Sequence, residues 1–347
     1  DEGCDGWAWE DVLPAFIRLE DDLQFGDKPY HGAGGPIPID RMPLETWGAV
    51  DLAFRQAALD LGYPWSEDHN APDVTGAAAF GVNSREGVRV TTNDAYLDPA
   101  RNRPNLTVLG ETTVDHLCLD LGRVTGVRAL TPDGAREFHA REVIVACGSV
   151  HSPGGLIRSG IGPADAVREL GVTPIADLPI GKNLGEHSSV WIGLNLKPEH
   201  RVPSFDTRHA NCCLRYSSGL AGAGRNDMFM VSASVIGADA SFHAKGIILV
   251  ATYQTFSRGL LQVTSPDPNV QPQVDLNMLS DERDLIRLRD GYKRLHGFLD
   301  HPAVERLAES RFTFLLSGAD DGGLPPRDAS DATIDAWLFA HCQQTHH

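Results

Sequence analysis

The residues best placed to do chemistry lie at a turn, Gly148–Gly162, with the sequence GSVHSPGGLIRSGIG. They follow a short apolar run, Glu142-Val143-Ile144-Val145-Ala146-Cys147, and precede a charged, helix-like stretch, Pro163–Leu170. The run is rich in β-branched residues, which predicts a buried strand. A strand, a small-residue turn and a helix in succession let backbone N–H groups approach a phosphate or a ribose. The same pattern serves equally as a plain strand-to-helix connection, and the spacing alone leaves both uses open. Other chemistries have less behind them. The six cysteines lack C-x-x-C spacing, and no set of His, Cys, Asp or Glu is spaced as metal ligands, so no metal is expected. Ser152 does not stand in a G-x-S-x-G elbow, which leaves a serine hydrolase unsupported. The runs Glu20-Asp21-Asp22 and Asp281-Glu282-Arg283-Asp284 read as solvated helix ends. Cys118 and Cys147 sit in apolar runs and read as buried thiols.

The elements that would position this turn follow from hydrophobic spacing. Trp9, Val12, Leu13, Phe16 and Leu19 form a stripe that predicts a helix over Trp7–Asp22. Trp47, Val50, Phe54, Ala57, Ala58 and Leu61 share one face of a second helix over Pro43–Leu61, stopped by Gly62. A short helix is expected over Thr91–Leu97. Strands are expected at Leu106–Leu109, Thr113–Leu119 and Val124–Leu130, with a turn at Asp120–Arg123 and Glu142–Cys147 closing the unit. After His187 the pattern changes. Val190–Leu196, Cys212–Tyr216, Met228–Ala233, Ile247–Tyr253 and Leu260–Ser265 read as strands without intervening helices, which predicts a mostly antiparallel sheet. Two helices follow, Asp281–His296 with Ser280 as its N-cap and Asp331–Cys342.

The 347 residues suffice for two domains, and a hydrophobic content of 41% supports a sizeable core. The net charge of −17 disfavours nucleic acid and anionic membranes as partners. No window approaches the roughly 20 apolar residues of a membrane span, and a reducing cytoplasm is the expected compartment.

Gly148, Ser149, Ser152, Pro153, Leu156, Ser159, Gly160, Ile161 and Gly162 together resemble the second signature of the glucose–methanol–choline (GMC) oxidoreductases, which oxidise alcohols with FAD. Further blocks are similar to that family and occur in its order: Gly6–Phe16, His31–Ile37, Asp68-His69-Asn70 with Gly76, Gly87-Val88-Arg89 leading to Ala95–Ala100, Arg103–Val108, Leu178–His187, and Ser257-Arg258-Gly259 with Ser265–Pro268. Three positions depart from the pattern. Gly155 stands where the family usually has a large aliphatic residue, Cys147 where it has Ala or Gly, and Glu186 where it has Asp.

The resemblance implies an α/β (α+β) protein. A partial FAD/NAD(P)-binding Rossmann-like domain would occupy residues 1–188, and a substrate domain with a mostly antiparallel sheet residues 189–347. It implies that Val114 touches the adenine of FAD through its backbone. Ala146, Cys147, Gly148 and Ser149 would face the AMP half, and Ser152 would shape the turn. It also implies a histidine base beside the flavin ring: the ending Thr345-His346-His347 is similar to the approach to that motif, which makes His347 the candidate base and His346 its neighbour. A histidine titrating near neutral pH can take the hydroxyl proton while hydride leaves the carbinol carbon for flavin N5. The partner would be a small-molecule alcohol.

No G-x-G-x-x-G turn occurs, although a flavin protein of this kind should open with one. An internal fragment of a longer enzyme is therefore expected. A degenerate, flavin-free binding or scaffold chain is one alternative, and another Rossmann-type flavin or nicotinamide oxidoreductase is a second.

Overall fold

The computed structural model describes residues 3–204, 207–220, 222–234, 240–316, 318–320 and 323–345. The chain divides into two compact units. The first draws on Asp1–Leu106, His187–Gln254 and the stretch from Leu285 onward; the second on Thr107–Glu186 and Thr255–Asp284.

The first unit is organised by an eight-stranded sheet in the order Gly318–Asp320, Ala308–Leu315, Ser189–Leu196, Lys245–Thr252, Met228–Ala233, Cys212–Tyr216, Gly76–Ala79 and Trp65–Ser66. Neighbours run antiparallel except the last pair, which is parallel. Its central strands are near-continuous apolar runs because both faces are covered. The helix Ala49–Asp60 lies on one face: a Cβ on Gly246 would stand 2.6 Å from Val50 Cγ2. Its Val50, Ala53, Phe54, Ala57 and Ala58 are buried at the i, i+3, i+4 spacing of one helical stripe. The helix Glu282–Leu299 adds Leu288, Tyr292, Leu295 and Phe298, and Phe298 stacks on Phe54 at 4.9 Å. On the opposite face Cys213, Phe229, Val231, Ala233, Ile247, Leu249 and Ala251 form one apolar cluster. The register pairs Cys213 with Val231, Val231 with Leu249 and Phe229 with Ala251, so these side chains share a face.

The N-terminal helix runs over Trp9–Leu19 and stops short of the expected Asp22. Glu20–Asp22 is instead a strand paired in parallel with Ile37–Ile39. This corrects the reading of the acidic run as a solvated helix end: Asp22 is buried, because Arg41 and two backbone N–H groups supply partners for its carboxylate.

The second unit holds a three-stranded antiparallel meander, Thr113–Asp120, Arg123–Thr131 and Gly134–His139. The expected turn at Asp120–Arg123 carries left-handed backbone at Leu121 and Gly122. The helices Gly148–Arg158 and Ala164–Glu169 follow, and Ile157, Val167, Leu170, Leu261 and Val263 make a small core.

Two expected strands are absent. Leu106–Leu109 and Glu142–Cys147 join no ladder, and Ile144 is 84% exposed. A strand is completed by hydrogen-bonded neighbours, and no described strand pairs with either stretch. Cys147 is accordingly exposed, not buried as its apolar surroundings in sequence suggested. The helix Glu282–Leu299 also departs in detail. The Asp281 carboxylate accepts the backbone N–H of Arg283 at 2.9 Å, so Asp281 takes the capping role expected of Ser280. The Leu260–Ser265 strand shortens to Leu260–Gln262.

Candidate functional site

The turn after residue 147 is built by backbone geometry. Gly148 has φ +81°, the left-handed region that favours glycine, and opens the helix Gly148–Arg158. The backbone N–H of Cys147 donates to Ser152 Oγ at 2.9 Å, so the serine hydroxyl fixes the corner. Pro153 lies inside the helix and not at its first position, because the helix begins at Gly148.

Beside this corner lies a cleft of about 490 Å³, walled by Val114, Val145, Cys147, His151 and Arg158 among others. Val114 and Cys147 meet there although strand and helix carry them separately. Ala146, Gly148 and Ser149 at the turn are exposed. Ser152 faces Cys147. Cys147 at the helix N-cap and His151 and Gly155 on the helix recur every fourth residue along the cleft wall, and a Cβ at Gly155 would meet nothing within 4 Å. Arg158 is buried, with its Nε donating to the Asp115 carbonyl at 3.0 Å.

His346 and His347 lie outside the described residues. The chain leading to them bridges to the start of the inner strand Ser189–Leu196: Gln343 and Ser189 exchange backbone bonds of 2.9 and 3.0 Å, and Thr345 is buried. Beside that strand's start, His187 Nδ1 donates to the Thr252 carbonyl at 3.0 Å and the ring stacks on Tyr253 at 4.9 Å. His341 stacks on Trp337 with ring centroids 4.7 Å apart.

Two groups escaped the sequence reading. His69 lies on the apolar face of the sheet, with Nδ1 3.4 Å from Cys213 Sγ. Burial, followed by the charge of Arg215, lowers its pKa to about 4, so the ring is neutral. His31 sits among Glu20, Asp22, Asp68 and Arg41. The signal was present, since His31, Asp68 and His69 all fall in blocks similar to the GMC pattern, but nothing in sequence spacing joins them. Glu20, Asp22 and His31 offer donor atoms within 4.8 Å of one another. Asp22 is spent on Arg41, and the group reads as an ion-pair network.

Comparison with known proteins agrees with this architecture. The GMC oxidoreductase family models match residues 1–189 with their N-terminal part and residues 255–347 with their C-terminal part. The chain is 38% identical over 323 residues to a 5-(hydroxymethyl)furfural oxidase of Methylovorus sp. (strain MP688), covering 89% of this chain and 59% of that one. It is 29% identical over 373 residues to an oxygen-dependent choline dehydrogenase of Vibrio vulnificus (strain YJ016), covering 100% of this chain and 65% of the relative. The chain thus spans about three-fifths of the length of these relatives. Among solved structures, pyridoxine 4-oxidase from Mesorbium loti superposes with a TM-score of 0.84 at 27% identity, over 99% of this chain and 67% of that one. An Aspergillus oryzae formate oxidase studied for FAD modification shares the fold with a TM-score of 0.82 at 20% identity, over 97% and 67%. With both halves of the family pattern present in order, and with that fold, this chain belongs to the GMC oxidoreductases.

Proposed function

We propose that this protein oxidises a small-molecule primary or secondary alcohol. The cofactor of this family is FAD, and when bound it supplies the hydride acceptor, flavin N5. The observation that carries the reading is the cleft shared by Val114 and Cys147. Its volume falls within the roughly 300–1,000 Å³ of small-molecule sites. Apolar walls suit a purine ring, and the exposed small-residue turn suits the ribose and phosphate beyond it. Val114 would meet the adenine through its backbone. Ala146, Cys147, Gly148 and Ser149 would admit the AMP half closely because their side chains are small, while Ser152 holds the turn. His347 would take the substrate hydroxyl proton, with His346 beside it. Residues 1–188 would serve the flavin and 189–347 the substrate, in a cytoplasmic setting that suits six free cysteines. No described helix is long and apolar enough to cross a membrane.

The unpaired apolar run at 142–147 supports an incomplete flavin domain, as does the share of the relatives' length that the chain spans. The test is to express the reading frame extended on both sides and follow flavin reduction by an alcohol panel without oxygen. The extended protein should carry FAD that bleaches with alcohol, whereas the 347-residue chain should purify with little flavin. His347→Asn should slow bleaching by about a hundredfold to ten-thousandfold. An extended protein that lacks flavin would overturn the reading, and a loss confined to His346→Asn would move the base by one residue.

A further inference from the structure

One buried charge cluster of the first unit takes no part in this chemistry. The His31 side chain is only 2% exposed. Its Nδ1 lies 3.0 Å from Glu20 Oε2 and 3.5 Å from Asp22 Oδ2, and its Nε2 lies 2.9 Å from Asp68 Oδ2. These carboxylates already receive other N–H groups. Glu20 Oε2 accepts from the Gly32 backbone at 3.1 Å. Asp22 Oδ1 accepts from the backbones of Gln24 and Phe25 at 3.0 and 2.8 Å, and both its oxygens accept from Arg41 Nη1 at 2.9 Å. Asp68 Oδ1 accepts from the Asn70 backbone at 3.0 Å and from Arg41 Nη2 at 3.3 Å. A carboxylate oxygen that takes these N–H groups is an acceptor.

Both ring nitrogens of His31 therefore face acceptors, and a neutral imidazole has a single N–H to offer. The ring has to be an imidazolium. Three carboxylates then meet two cations; without the ring proton, Arg41 would still pair with Asp22 and Asp68, Glu20 would lose its cation, and one ring lone pair would point at a carboxylate. The remaining neighbours do not replace that proton. Tyr30 is a neutral phenol, its pKa raised by burial and by Asp68, and Asp27 acts on Tyr30. His69, next to Asp68 in the chain, is itself neutral. Asp21 is turned away, on Gly34 and Arg85.

We propose that His31 is a proton-operated clasp: as an imidazolium it ties the strand Glu20–Asp22 and the 23–36 loop to the 67–73 loop, and loss of its ring proton releases them. The clasp bears on a cleft, because Glu20, Tyr30, His31 and the run Asn70–Asp73 wall a space of about 540 Å³. Burial opposes the charge on His31, but the bonds to Glu20 and Asp68 and the charges of those groups outweigh it and raise its pKa above the ordinary value. A group raised in the folded state contributes stability that is complete below its unfolded pKa of about 6.5. That stability is lost as pH climbs through the folded value, so the clasp opens toward alkaline pH.

The test uses the whole 347-residue chain with ¹⁵N-labelled histidine, observed from about pH 6 to about pH 9. His31 should show two protonated ring nitrogens at neutral pH and lose one at a pKa above that of the exposed histidines. Limited proteolysis should cut the 23–36 loop about tenfold faster or more once the ring is neutral, as expected when one partner of a buried pair is lost. Cutting at the exposed Leu121 turn supplies the protease's own pH dependence. His31→Gln should cut fast at every pH. A singly protonated ring at neutral pH, or a 23–36 cutting rate that tracks the Leu121 turn throughout, overturns the clasp. If His31→Gln does not fold, the wild-type titration and proteolysis decide alone.

Discussion

Two short runs of similar character meet opposite fates in this chain. Met228–Ala233 and Glu142–Cys147 are both six residues long, apolar and bounded by turn formers. The first lies between Cys212–Tyr216 and Lys245–Thr252, bonds to both, and has every residue buried. The second has no ladder among the described residues and presents Ile144 to solvent. Composition gave the two the same β preference; neighbours decided which became a strand. Burial energy should therefore separate them most. Phe229 is fully buried, stacked on Tyr253 at 4.6 Å, so Phe229→Ala should cost about 3–5 kcal/mol. Ile144→Ala should stay within about 0.5 kcal/mol. Urea unfolding measures the first cleanly by tryptophan fluorescence, because all six tryptophans belong to the first unit. Hydrogen exchange in the Gly148–Arg158 helix reports the second. A large cost at Ile144 would show that the 142–147 run is covered after all.

The contrast extends to charge. Beneath the paired strands, Asp51 is buried and accepts from Ser232 Oγ at 2.6 Å and Asn211 Nδ2 at 2.9 Å. Burial pushes its pKa up to about 6 against the pull of those bonds. The folded value lies above the unfolded one, so the stabilising contribution is complete below about pH 4 and lost as pH rises through about 6. The loss is of order 3 kcal/mol. In the run 142–147 the charged residue is Glu142, which is open to water. Stability of the first unit, followed by tryptophan fluorescence, should fall across that interval, and Asp51→Asn should flatten the slope whatever it does to absolute stability. An unchanged slope in the variant would mean that the Asp51 carboxyl does not titrate there.

The legible parts of the sequence share a physical cause. Cys212–Tyr216 and Met228–Ala233 were expected with the bounds they have, and Asp331–His341 differs from expectation by one residue. Their partners are within the chain, so local pattern and final environment agree. Gly134–His139 was missed because its run G-A-R-E-F-H shows no apolar alternation and is mostly exposed, and its pairing with Arg123–Thr131 makes it a strand. The His31–Asp68 contact was hidden by separation along the chain, which only a folded backbone closes. The corner failed in the opposite sense: its pattern was readable, but the neighbours that would turn a pattern into a strand are not among the described residues.

The finest probe of that difference is a single methyl group placed in each region. Gly246 lies in the strand Lys245–Thr252 beneath the helix Ala49–Asp60, where a Cβ would come within 2.6 Å of Val50 Cγ2 and 3.3 Å of the Ala233 carbonyl. Both obstacles are fixed, one in a helix and one in a ladder. The gain from restricting the unfolded chain is about 0.4–1 kcal/mol, and overpacking costs about 1–3 kcal/mol. Gly246→Ala should therefore destabilise on balance. Gly155 occupies the middle of the helix Gly148–Arg158 with open space around its Cβ position. There the same methyl meets nothing, and the change should stabilise the helix by about 1 kcal/mol, the propensity difference between the two residues. The signs should be opposite, read by fluorescence for Gly246→Ala and by slower amide exchange across 148–158 for Gly155→Ala. Two changes of the same sign would mean that the exposed corner is as closely packed as the sheet, and the contrast between the regions would fail.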